Sequence, residues 1–80
     1  MMLLSESSSG KTVRILGYLD ESNVGSKLRQ LGLIPGECAR ILRTAPMGGP
    51  FLVEIRGRSI ALGRKVAAGI QVEENSCDLP

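Results

Sequence analysis

Residues Glu37 to Leu62 read, in order, ECARILRT, APMGGP, FLVEIR, GR and SIAL, which is three short apolar-rich segments separated by two groups of turn formers. In the first segment Ala39 and Ile41 alternate with Cys38 and Arg40. In the second Phe51, Val53 and Ile55 alternate with Leu52, Glu54 and Arg56. A period of two is the mark of a strand with one face buried and one face wet. Ala45 to Pro50 is built from two Pro, two Gly, Ala45 and Met47, and Gly57-Arg58 leaves room for only a tight turn, so Glu37–Thr44, Phe51–Arg56 and Ser59–Leu62 are expected to fold as consecutive antiparallel hairpins.

The same reading extends to both sides. From Thr12 to Leu19, Val13, Ile15 and Leu19 fall on one face and Arg14, Leu16 and Tyr18 on the other, which predicts a strand with a bulge or bend at Gly17. Asp20 to Asn23 supplies cap formers, and Val24, Leu28 and Leu31 follow at i, i+4 and i+7, so one short helix is predicted, with Asn23 as N-cap and Lys27 and Arg29 facing water. Gly32 ends it and Pro35-Gly36 turns the chain into the next strand. A helical turn at Arg64 to Ala68 and a last strand at Ile70 to Glu73 complete the pattern. The expected fold is mainly β: a small antiparallel barrel of about five strands, with one short helix after the first strand and a helical turn before the last.

Three regions are expected: a loosely ordered, polar arm at 1–10, the barrel at 11–74, and a polar tail at 75–80. The chain of 80 residues is 42% hydrophobic but holds only Tyr18 and Phe51 as aromatics, so its core has to be aliphatic. No apolar run approaches the roughly 20 residues that cross a bilayer, and a cytoplasmic location is expected. Two cysteines, Cys38 and Cys77, are too few for the disulfide framework of a small secreted domain, and they are expected to be reduced thiols. The formal charge of +2 conceals an asymmetry. All ten Lys and Arg lie between Lys11 and Lys65 against four acidic residues, a net of +6, while Glu6, Glu73, Glu74 and Asp78 lie outside that stretch.

Leu28-Arg29-Gln30-Leu31-Gly32-Leu33-Ile34-Pro35-Gly36 resembles the signature of FeoA proteins, a short helix ending in a Leu-Gly-Leu-x-Pro-Gly turn. Ala45-Pro46-Met47-Gly48-Gly49-Pro50, Glu54-Ile55-Arg56-Gly57 and Ile60-Ala61-Leu62 follow in that family's order, and the likeness runs from about Leu4 to Glu74. The resemblance implies an SH3-like domain in the cytoplasm that associates with FeoB, a membrane GTPase transporter of ferrous iron. It also implies kinship with domains fused to iron-dependent repressors. Ser7 stands where the family usually has an apolar residue, which points to a more mobile first segment.

The chemistry of individual residues narrows the function. Ser9-Gly10-Lys11-Thr12 matches the end of a phosphate-binding loop, but Ser5 occupies the place of the earlier glycine and a strand follows where a helix is needed. There is no histidine, and Cys38 and Cys77 have no ligand spacing, so no metal site is assigned. Glu37, Glu54, Glu73 and Glu74 could hold a divalent ion weakly. No nucleophile, base and oxyanion donor fall together, so no catalytic residue and no cofactor is expected and the chain is not read as an enzyme. Arg40, Arg43, Arg56, Arg58, Arg64 and Lys65 form a basic set, yet nucleic-acid barrels stack bases on several aromatics and this chain has almost none.

A protein-interaction surface remains, expected on the helix, the turn of Leu33, Ile34, Pro35 and Gly36, and the hairpin tip of Met47, Gly48 and Gly49, with Leu33 read equally as a cap of the barrel. The leading expectation is a non-enzymatic adaptor or regulator of ferrous iron uptake that binds the cytosolic part of a FeoB-type transporter. The alternatives are a transition-metal-binding or sensing module and a nucleic-acid-binding barrel that uses its basic face.

Overall fold

The computed structural model describes residues 2–20, 24–74 and 77. Its centre is the predicted run of hairpins: β3 (Cys38–Thr44), β4 (Phe51–Ile55) and β5 (Arg58–Leu62) pair in sequence, all antiparallel. β2 (Thr12–Tyr18) joins the other side of β3, β6 (Ile70–Glu74) joins β2, and the two-residue β1 (Met2–Leu3) forms the far edge. The order β1-β6-β2-β3-β4-β5 gives one strongly bent, six-stranded antiparallel sheet with two edges. It curls in the SH3-like manner without closing, so the expected barrel is an open one.

Two short helices stand against the sheet, α1 (Ser26–Gln30) and α2 (Arg64–Ala67), and a 3-10 turn covers Leu4–Glu6. α1 occupies the predicted helical region; its expected cap Asn23 lies outside the described residues. Leu28 of α1 and Ala67 of α2 are buried, and Lys27 and Arg29 are exposed as expected.

The inward residues of each strand build an aliphatic core around Phe51: Val13, Ile15, Ala39, Ile41, Val53, Ile55, Leu62, Ile70 and Val72. Their burial follows the period of two read from the sequence except at two bulges, one in β3, where the register shifts between Ile41 and Arg43, and one in β2. Ile15 pairs with Val72 but Gly17 pairs with Gln71, so Leu16 is a bulged residue and the alternation beyond it shifts by one. Tyr18 therefore points inward and Leu19 is exposed, the reverse of the simple alternation.

The first ten residues depart further from expectation. The arm is not loose at its start: Met2 pairs with Val72, Leu3 pairs with Gln71, and Leu4 is completely buried. The Glu6 carboxylate accepts a hydrogen bond from the Leu3 N–H (2.7 Å), and the Ser7 N–H donates to the Leu4 carbonyl (3.0 Å), which fixes the turn. Leu4 is thus the apolar anchor of this segment. Ser7 itself is buried, with no hydrogen-bond partner for its hydroxyl among the described residues.

The cysteines also differ from the reading as reduced thiols. Cys38 and Cys77 form a disulfide, with Cα atoms 6.0 Å apart. The physical reason is the register. Arg14 pairs with Cys38 on one side and Glu73 on the other, so the end of β6 comes to within one strand of Cys38 and the chain reaches it three residues after Glu74. Apart from Cys77, the expected tail lies outside the described residues.

An apolar groove between the two helices

The two segments expected to form one interaction surface lie at opposite ends of β3. The turn at 33–36 precedes its first residue and the loop at 45–50 follows its last, and seven residues of strand separate them by about 20 Å.

Leu33 is wholly buried and belongs to the core, so it is not offered to a partner. Its carbonyl accepts a hydrogen bond from the Tyr18 hydroxyl. Ile34 is 41% exposed, Pro35 and Gly36 are exposed, and Gly36 adopts φ +96°, a conformation that suits glycine. The turn is held by the Gly36 N–H donating to the Ile15 carbonyl (2.8 Å) and the Glu37 N–H donating to Ile34 (2.9 Å). At the other end Met47 is fully exposed at the tip of a turn in which it and Gly48 both take positive φ, closed by the Gly49 N–H donating to the Pro46 carbonyl (3.2 Å).

Between these ends the fold assembles a surface that residue spacing did not disclose. α1, the end of β5 and α2 enclose a groove of about 130 Å³ lined by Val24, Leu28, Leu31, Ala61, Leu62 and Val66, with Lys27 at its rim. A shallower hollow of about 410 Å³ shares Val24 and Val66 with it and adds Leu19, Asp20 and Lys65. The shared walls make one aliphatic trough bordered by two lysines. Leu19 is exposed here because of the bulge in β2.

Two arginines stabilise the surroundings. The Arg64 guanidinium lies over the Phe51 ring, 4.7 Å from its centroid, and also donates to the Ala45 carbonyl at 3.5 Å, joining α2 to the β3–β4 loop. Arg29 stands over the Tyr18 ring at 5.4 Å. Such contacts are worth about 0.5–1 kcal/mol at exposed sites.

The carboxylates considered as weak metal donors are dispersed. Glu37 pairs with Arg56, Glu54 sits opposite Arg40 in the β3–β4 register, and Glu73 sits opposite Arg14. Among the described residues no group of three or more His, Cys, Asp or Glu side chains comes together. Of the basic set, Arg56 pairs with Glu37 and Arg40 sits opposite Glu54, and Tyr18 and Phe51 are buried, so no aromatic stacking platform faces solvent. The phosphate-loop likeness also ends here, because Gly10 lies in a turn and Thr12 opens β2. No helix among the described residues is long and apolar enough to cross a membrane.

The chain is thus a small, SH3-like β domain with an open sheet and an aliphatic trough between two helical turns. The family is defined by its sequence: residues 2–74 match the FeoA domain, and the chain belongs to that family, which is linked to ferrous iron transport. Similar solved structures agree. FeoA of Chlorobium tepidum is 33% identical with a TM-score of 0.83, over 98% of this chain and 74% of that one. The FeoA-like protein of Clostridium acetobutylicum is 30% identical with a TM-score of 0.83, over 99% and 92%. FeoA of Stenotrophomonas maltophilia, a prokaryotic SH3 domain protein solved in complex with zinc, is 27% identical with a TM-score of 0.78, over 91% of each chain.

Proposed function

We propose that this chain is a non-enzymatic, cytoplasmic accessory of ferrous iron uptake that binds the cytosolic part of a FeoB-type membrane GTPase transporter and regulates its assembly or nucleotide cycle. The observation that carries this reading is the aliphatic trough between α1 and α2. Val24, Leu31 and Val66 are only partly buried there and Leu19 and Ala61 are exposed, and a concave apolar surface with a charged rim is the usual form of a docking site. Family membership supplies the transport system. The test is an amide-resolved NMR titration with the soluble GTPase domain of the transporter. Shifts clustered on Val24, Leu31, Ala61 and Val66 support the reading, and an unperturbed spectrum at saturating concentrations refutes it.

A second reading, a transition-metal-binding module, draws support from the zinc complex of the Stenotrophomonas maltophilia relative. The scattered carboxylates of this chain fit only weak binding. Calorimetric titration with zinc and with ferrous iron decides it, since micromolar affinity would put this reading first.

A further inference from the structure

We propose that Cys38 and Cys77 are a reversible redox-modification site: a latch between Cys77 and the first residue of β3, closed by low-molecular-weight disulfides and opened by thiols.

The placement of the bond carries the inference. Neither cysteine belongs to the buried core, and both are only partly buried, so a small thiol can reach the sulfurs. The core is complete without them: its members come from β2, β3, β4, β5, β6, the two helices, the Leu4 turn and Leu33. Opening the bond therefore removes no apolar contact on which the sheet depends. These are also the only two cysteines in the chain, so the pair has no competing intramolecular partner.

The bond joins β3 to a residue three positions past the end of β6, a strand that is not its neighbour: β6 pairs with β2 and β2 with β3. Arg14 stands in the same cross-strand row as Cys38 and Glu73, and its Nε is shut off from solvent. Closed, the latch ties Cys77 to the end of this row, and open, it frees Cys77.

The chemistry balances with a disulfide such as oxidised glutathione as oxidant. The Cys77 thiolate attacks it, forming a mixed disulfide and expelling one glutathione thiolate. The Cys38 thiolate then attacks the Cys77 sulfur and expels the second. The two cysteines lose two electrons, the oxidant gains them, and the two protons released by the cysteines pass through solvent to the departing thiolates.

The test equilibrates the whole chain in mixtures of reduced and oxidised glutathione, traps thiols with an alkylating agent, and records mass and amide spectra. The expected result is a single transition from zero to two alkylated cysteines. Amide shifts should be confined to the row of Arg14, Cys38 and Glu73 and to Cys77, with the spectral dispersion of the core retained. Cys77→Ser should show the open-form shifts in every mixture. Three results would overturn the latch: two reactive thiols under fully oxidised glutathione, no alkylation of the folded chain under fully reduced glutathione, or collapse of the core dispersion when the bond opens.

Discussion

The Tyr18 hydroxyl donates to the Leu33 carbonyl, tying the end of β2 to the turn that follows α1. Both residues are buried, so neither polar atom has ready access to water. Tyr18→Phe removes the donor and leaves a buried carbonyl unpaired, a loss of about 1–3 kcal/mol. Urea denaturation should show the midpoint falling with an unchanged slope. An unchanged midpoint would mean that water reaches the Leu33 carbonyl.

Ser7 presents the opposite case, a buried hydroxyl with no partner among the described residues. Replacing it with Ala removes an unpaired polar group without adding volume. Ser7→Ala is expected to stabilise by about 0.5–2 kcal/mol, read as a raised thermal midpoint. Leu4→Ala in the same segment should cost about 2–5 kcal/mol, because Leu4 is fully buried. A negligible loss there would return the segment to the status of a loose arm.

What the sequence disclosed and what it hid can be separated by physical cause. The hairpins from Cys38 to Leu62 were legible because alternation and Gly/Pro loops act locally, although the tight turn falls on Arg56-Gly57, one residue earlier than predicted. Tyr18 and Leu19 exchanged faces because a bulge leaves no trace in composition beyond a glycine. β1 was hidden because two residues cannot display a period, and their pairing with Gln71 and Val72 is long-range. Leu33, read equally as a contact residue and as a cap of the barrel, is core, its carbonyl held by the Tyr18 hydroxyl. The trough was out of reach because Leu19, Val24 and Leu31 lie 30 residues or more before Ala61 and Val66 and meet them only through the topology.

Gly49 and Gly63 provide a matched pair. A Cβ built at Gly49 would lie 2.5 Å from the Ala45 Cβ and 3.3 Å from the Pro46 carbonyl oxygen, whereas at Gly63 nothing lies within 4 Å. Gly63 also has φ −62°, open to any residue. Gly49→Ala should destabilise by about 1–3 kcal/mol through overpacking, and Gly63→Ala should be neutral or slightly stabilising. Chemical denaturation of the two variants side by side checks both. Equal midpoints would mean that the 45–50 loop yields freely.

The disulfide closes a loop between residues 39 apart. By the loop-closure model, reduction should lower global stability by about 2–4 kcal/mol, seen as a lower thermal midpoint in a transition that stays cooperative. A midpoint indifferent to reductant would show that the unfolded chain gains nothing from the bond's removal.

The partner-binding reading separates most sharply at Ala61 and Met47. Ala61 lines the trough between α1 and α2 yet is exposed, so Ala61→Glu buries no new charge in the free protein and should change stability by no more than about 0.5 kcal/mol. In a complex the carboxylate would be pressed against Val24, Leu31 and Val66. Burying a charge among aliphatic side chains is costly, and affinity for the GTPase domain should fall by about tenfold or more, equivalent to about 1.4 kcal/mol. Met47→Ser alters a fully exposed side chain at the far end of β3, outside the trough, and should leave affinity unchanged. Titration calorimetry on both variants reads the answer directly. If Met47→Ser weakens binding and Ala61→Glu does not, the partner sits on the hairpin tip and the trough serves another purpose.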